Sequence, residues 1–420
     1  MKNLIKSLSS LFIVVLLLGS SVYAQQQSRD IQNFRYPDKR GINVFESPKT
    51  PDVLFDGLKV RVGASNTLQF QSLSHDNSGN VALADIGSNF NLATSSLAFD
   101  VALYDGVRMH LTTYLSSQHH PEPYVKGGYM QVDKLDFIQE DFLSEIMEKL
   151  TIKVGHMEIN YGDNHFRRSD NAQALYNPFV GNYIMDSFTT EVGGELYYKS
   201  NGILAMFGLT NGKLNQSVVE PAAGSPVTHV SIVSKLGYDS QINEDLRVRL
   251  TGSIYHTGES ARTYLYAGDR AGSRYYAVME GSFRAGRFDP GFSNELTAIM
   301  VNPFVKFQGI EFYGVFESST GKAVAEADSR NFIQLGSELI YRFGATEDFF
   351  VGGRYNSVSG ELNTGDDVTI DRFNIGGGWF LTKNILAKVE YMKQTYSDFP
   401  VGIYEDGEFN GFMVEAVISF

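Results

Sequence analysis

The chain has 420 residues, with 35 Lys and Arg against 48 Asp and Glu, and no cysteine. Its formal charge of −13 argues against a nucleic-acid partner, whose phosphates require a basic surface. The missing thiols exclude disulfides, a lipid-modified N-terminus, thiolate metal sites and a cysteine nucleophile, and 41 Gly, 30 Phe and 23 Tyr favour strands and turns over helices.

The first segment, MKNLIKSLSSLFIVVLLLGSSVYAQQQ, places Lys2 and Lys6 before the apolar run Leu11 to Leu18, then Val22-Tyr23-Ala24. This is the pattern of a secretory signal peptide over 1–24, with cleavage after Ala24 and an apolar core too short to span a membrane. No later run of 18 apolar residues follows, so entry into a membrane requires a barrel. Residues 25–56 are expected to form an N-terminal periplasmic segment and 57–420 the barrel itself.

Within 57–420, two-faced segments of about ten residues recur, the length a tilted strand needs to cross a bilayer. LAFDVAL carries Leu97, Phe99, Val101 and Leu103 on one face, Tyr104-Asp105-Gly106 reads as a tight turn, and VRMHLTTYL returns with Val107, Met109, Leu111 and Leu115 apolar. The predicted strands are 57–66, 89–104, 107–118, 124–136, 149–161, 189–199, 202–211, 228–239, 245–256, 294–307, 310–318, 331–343, 347–358, 370–382, 385–396 and 410–420. This makes sixteen, with every short connection on one side; eighteen remain compatible with the pattern if RYYAVMEGSF (274–283) is counted, although here it is assigned to a long external loop, 257–293. Another long loop is expected over 67–88, and a short helical turn within IQEDFLSEIMEKL, whose Phe142, Ile146 and Leu150 have helical spacing. The last strand ends at Phe420 and should pair beside the first.

The fold class is therefore all-β, a transmembrane antiparallel barrel. Alternation points Arg108, Lys153, Lys235, Arg247, Arg249, Lys306, Arg342, Arg372 and Lys388 inward, with Asp100, Glu191, Glu195, Glu311, Glu317, Glu338, Glu390 and Glu415. Charges in such numbers would be costly in a dry core, so a wet, nearly neutral lumen is expected, and the excess acid falls in the loops.

Residues 150–213 carry Val154-Gly155, then Arg167 and Arg168 in a polar loop, then Val192-Gly193 and Asn211-Gly212; NPFVKFQGIEF and the terminal Phe420 follow later. This layout resembles the phosphate-selective porins O and P, in the divergent form of Bacteroidetes-type outer membranes. The resemblance implies a sixteen-stranded porin, commonly a homotrimer, whose third external loop, 162–188, folds into the pore. No dense ladder of Arg and Lys is visible, so phosphate selectivity is not carried over.

Asp163, His165, Arg167, Arg168 and Asp170 are the candidates for the pore constriction, where facing charges would set a transverse field. The alternative is that the two arginines pin the loop to acids on the wall. Adjacent His119 and His120 with Glu122 lack the fixed spacing of a zinc site, and G-x-S-x-G and H-E-x-x-H are absent. Accordingly no enzymatic activity, cofactor or metal is expected. The expected function is passive diffusion of small hydrophilic solutes or ions across the outer membrane, with its lipids as surroundings; the alternative is an adhesin or a subunit of a surface complex.

Overall fold

The computed structural model describes residues 30–50, 53–79, 81–91, 94–117, 123–169, 173–214, 216–219, 221–267, 275–280 and 286–420. The signal peptide predicted at 1–24 lies outside them. The chain forms β1 (Lys59–Asp76), β2 (Asn89–Phe90), β3 (Thr94–Tyr104), β4 (Val107–Ser116), β5 (Tyr124–Val132), β6 (Leu150–Glu158), β7 (Thr190–Ser200) and β8 (Ile203–Thr210). It continues with β9 (Ser231–Gln241), β10 (Leu246–Thr257), β11 (Glu295–Phe307), β12 (Ile310–Lys322), β13 (Arg330–Phe343), β14 (Phe349–Glu361), β15 (Asp367–Thr382), β16 (Ile385–Ser397) and β17 (Glu408–Ser419).

Neighbouring strands pair antiparallel in one sheet that closes on itself. β1 is the seam: it pairs with β3 from Lys59↔Ala102 to Thr67↔Thr94, and with β17 from Ser65↔Ser419 to Asp76↔Glu408. Beyond β17 the Phe420 N–H donates to the Ala64 carbonyl at 3.0 Å, and the Phe420 carbonyl accepts from the Ala64 N–H at 3.1 Å. No edge is left at the seam, which is how a barrel avoids strand-to-strand aggregation. The two-residue β2 caps the same side of β1 beyond β3. Short connections, such as Asp105-Gly106 with its φ of +70° at Gly106, collect at the end that holds both termini of the barrel; the long loops collect at the other.

The sixteen long strands stand where the alternation placed them, with three differences. β1 runs to Asp76, so ten residues assigned to the loop 67–88 are strand, held by β17. The described part of 274–283, residues 275–280, is not strand, which removes the eighteen-strand count. Only Ser144–Met147 of the predicted helical stretch is helix, where buried Met147 packs against Val107 and Val132 while Phe142 and Ile146 stay exposed.

In β13 the outward Ile333, Leu335, Leu339, Tyr341 and Phe343 are exposed, while the inward Gln334, Glu338 and Arg342 are buried. Near the short-turn end, Tyr341, Phe343, Phe349 and Trp379 stack in a row on the outer face, the arrangement of an interfacial aromatic girdle.

The interior is largely filled. The segment 30–50, part of the stretch read as periplasmic, packs across the short-turn mouth: the Lys39 amide donates to the Lys383 carbonyl, and Phe45 meets Phe304 edge-on at 5.4 Å. From the long-loop end, the described parts of 159–189 and 258–294 descend and share an apolar core in which Val180, Ile184 and Met185 pack with Tyr275, Val278 and Met279 against inward Met300, Phe332 and Met413. A wet lumen was the expectation; much of it is instead filled, because inward apolar residues receive the loops and most inward charges are paired.

Candidate functional site in the barrel interior

Four of the five constriction candidates lie among the described residues, and each is engaged with a partner; Asp170 lies outside them, as do His119, His120 and Glu122. Asp163 accepts from Arg249 Nε at 2.8 Å and Nη2 at 2.9 Å, from Lys235 Nζ at 3.0 Å and from Thr251 Oγ1 at 2.8 Å. Glu46 of the N-terminal segment takes the remaining face of Arg249, at 2.9 and 3.0 Å. The four charges form two acids shared by two bases, all buried, so loop, wall and N-terminal segment are tied at one point.

Burial alone would raise the Glu46 carboxyl, but the facing Arg249 and Lys235 overcome it and hold the group at about 2. The same cations push Asp163 down further, against the same burial penalty.

Arg167 donates to Glu338 on β13 and to Asn43 of the N-terminal segment. Glu338 also receives Arg354, at 2.8 Å. Arg168 makes a bidentate pair with Asp186 inside its own loop, at 2.6 and 2.8 Å. His165 bonds Glu158 and Asn160. These contacts fix the loop to its surroundings.

The charges that alternation pointed inward face the interior. Lys388 donates to the carbonyls of Ala174, Asn177 and Phe179 at 2.9, 3.0 and 2.9 Å, and pairs with Glu415 at 2.5 Å. Glu390 accepts from the Val180 amide and the Tyr275 hydroxyl, at 2.9 and 2.6 Å. Arg342 pairs with Glu311 and Arg247 with Asp239, both at 2.8 Å. Lys235 and Arg249 belong to the cluster already described, and Glu338 to the Arg167 pair. Arg108 and Lys153 face open space along the wall.

That space is a cavity of about 220 Å³ beside the plug, along the inner wall of β1 and β3–β7. Six Lys or Arg side chains line it (Arg35, Arg61, Arg108, Lys126, Lys153 and Lys199) against three acids, Glu46, Asp100 and Glu158. The lining is thus basic where the wall as a whole reads as neutral. Of these cations, alternation identified only Arg108 and Lys153. Lys126 escapes the pattern because a bulge between Thr112 and Thr113 shifts the register of β5. Arg35 comes from the N-terminal segment, to which no strand pattern applies. Arg61 and Lys199 sit at strand ends, in phase with Ser65 and Glu195, and the same alternation could have found them. A second cavity of about 420 Å³ lies at the short-turn mouth between Lys39, Arg247, Lys306 and Glu347.

No protein-family model matches the chain, and no curated protein matches its sequence. Solved structures do match. The anion-selective porin from Comamonas acidovorans aligns over 86% of this chain and 100% of its own, with a TM-score of 0.53 and 11% identity. OprB of Pseudomonas putida aligns over 87% and 94%, with a TM-score of 0.53 and 10% identity. The outer-membrane channel DcaP of Acinetobacter baumannii aligns over 87% and 98%, with a TM-score of 0.51 and 11% identity. Identities this low establish architecture alone: the chain has the closed sixteen-strand barrel of outer-membrane porins.

Proposed function

We propose that the protein is an outer-membrane porin, delivered by its N-terminal signal peptide, that lets small hydrophilic solutes or ions diffuse passively along the wall of β1 and β3–β7. The observation that carries this reading is the cavity beside the packed segments, lined by charged side chains and aromatic rings where much of the interior is packed and apolar. The apolar outer face, with its stacked Tyr341, Phe343, Phe349 and Trp379, supports residence in a bilayer. The layout shared with phosphate-selective porins suggests a homotrimer. Purified protein in planar bilayers should give stepwise, ohmic conductance, and chemical cross-linking in detergent should stop at three copies. Silent bilayers from protein with the gel mobility of a folded barrel would remove the channel reading.

One observation favours the second reading, a barrel that serves as an adhesin or a subunit of a surface complex. The N-terminal segment and two loops fill much of the lumen. On that reading conductance would stay absent even after the N-terminal segment is deleted.

A further inference from the structure

The basic cavity is lined by cations and aromatic rings in alternation. The Arg61 guanidinium lies 5.2 Å from the centroid of the Phe34 ring, and that of Arg108 lies 5.8 Å from Phe34 and 5.7 Å from Tyr129. The Lys153 ammonium lies 4.6 Å from Tyr129 and 5.8 Å from Tyr197. The row crosses β1, β4, β5, β6 and β7, with Phe34 supplied by the N-terminal segment.

Elsewhere in the interior most inward cations have a carboxylate close by. Here compensation is uneven: Arg61 has Asp100 at 3.5 Å, but Arg108 has no carboxylate partner. Arg108 is 4% exposed and bonds only Ser47 Oγ at 3.2 Å and Gln131 Oε1 at 2.6 Å, while its Nε has no hydrogen-bond partner among the described residues. Lys153 stands 3.9 Å from Glu195, which is already engaged by the Asn160 amide and the Tyr197 hydroxyl. Lys199 donates to the Ser47 carbonyl. A buried guanidinium with an unused donor costs free energy unless something accepts from it.

We infer that this row is a binding site for a compact aromatic carboxylate, taken up in transit; the inference rests on the channel reading. The carboxylate would accept from Arg108 and lie beside Lys153, with its ring on Tyr129 and Phe34. A small inorganic oxyanion would satisfy the cations but would be desolvated against two ring faces that offer it no donor, so a flat organic anion fits the alternation better. The volume, about 220 Å³, is below the roughly 300–1,000 Å³ of drug-sized sites, which keeps the occupant to a single ring.

The test is calorimetric titration of sodium benzoate and, separately, sodium phosphate into the full chain folded in detergent. Saturable benzoate binding is expected, tighter than phosphate, weakened about tenfold or more by Arg108→Gln, as loss of a charge-assisted hydrogen bond implies, and weakened by Tyr129→Ala. Heat-modifiable gel mobility checks that each variant is folded, and Lys153→Gln probes the same charge if Arg108→Gln does not assemble. Absence of saturable benzoate binding overturns the inference, as does phosphate binding of equal strength that Tyr129→Ala leaves unchanged. Because binding is read without conductance, a protein that conducts but ignores benzoate refutes the site and spares the channel; one that binds benzoate in silent bilayers does the reverse.

Discussion

Glu46 is a carboxylate from a segment outside the sheet, buried against Arg249 and Lys235 and held at about 2 by them. A folded-state value below the ordinary carboxyl value of 4.5 means that its contribution to holding the N-terminal segment is complete above about pH 4.5 and is lost as pH falls toward 2. Limited proteolysis of the segment 30–50 should therefore accelerate across that window and stay flat between pH 5 and about 8. Glu46→Gln should bring the fast rate to neutral pH. Lys388 makes a second test at this scale. Lys388→Met strips three carbonyls of their donor and leaves Glu415 buried without its cation, a loss of about 3–5 kcal/mol. The double change Lys388→Met with Glu415→Met removes both charges and should recover much of it, measured as the thermal midpoint of the gel shift in a double-mutant cycle.

Among the elements, the loop 159–189, the described parts of 258–294 and the N-terminal segment together occupy the barrel interior. The loop is pinned by side chains of the wall: Lys388 takes its carbonyls, Arg354 takes Gly181 at 2.7 Å, and Asn356 accepts from the Ile184 amide at 2.7 Å. The segment is held both by its own Glu46 and Asn43 and by the wall, where Arg247 donates to the Asn43 carbonyl at 2.9 Å. Deleting 30–50 should leave the barrel assembled, since no strand is removed, and should raise single-channel conductance by widening the short-turn mouth. An unchanged conductance would show that the loops, and not this segment, set the resistance.

For the whole molecule, closure at β1 and β17 is the step that everything else depends on. Phe420 contributes two backbone hydrogen bonds to the seam and a ring that is 46% exposed on the outer face. Its removal should lower the yield of heat-modifiable barrel far beyond what the burial of one ring, at most about 2–3 kcal/mol, accounts for, because the last edge then ends short of Ala64. Normal assembly of the truncated chain would show that the seam does not need its final residue.

The period-two alternation was enough to locate sixteen strands, their inward and outward faces and the side of the short turns, because a strand's faces are set by residue parity and a bilayer demands one continuous apolar face. Lys235, Arg249, Glu338 and Lys388 could be pointed inward on parity alone. What parity cannot carry is which segment fills the space inside. Phe34, Arg35 and Glu46 lie before the first strand, where no period exists to read, and their partners Arg108, Phe166 and Arg249 are distant in sequence. The extent of β1 was equally hidden: its polar second half, Gln69, Gln71 and Ser74, reads as loop until β17 supplies the pairing. Faces are local and were legible; the plug, the paired charges and the basic cavity arise from contacts between segments far apart along the chain, and only the closed barrel brings them together.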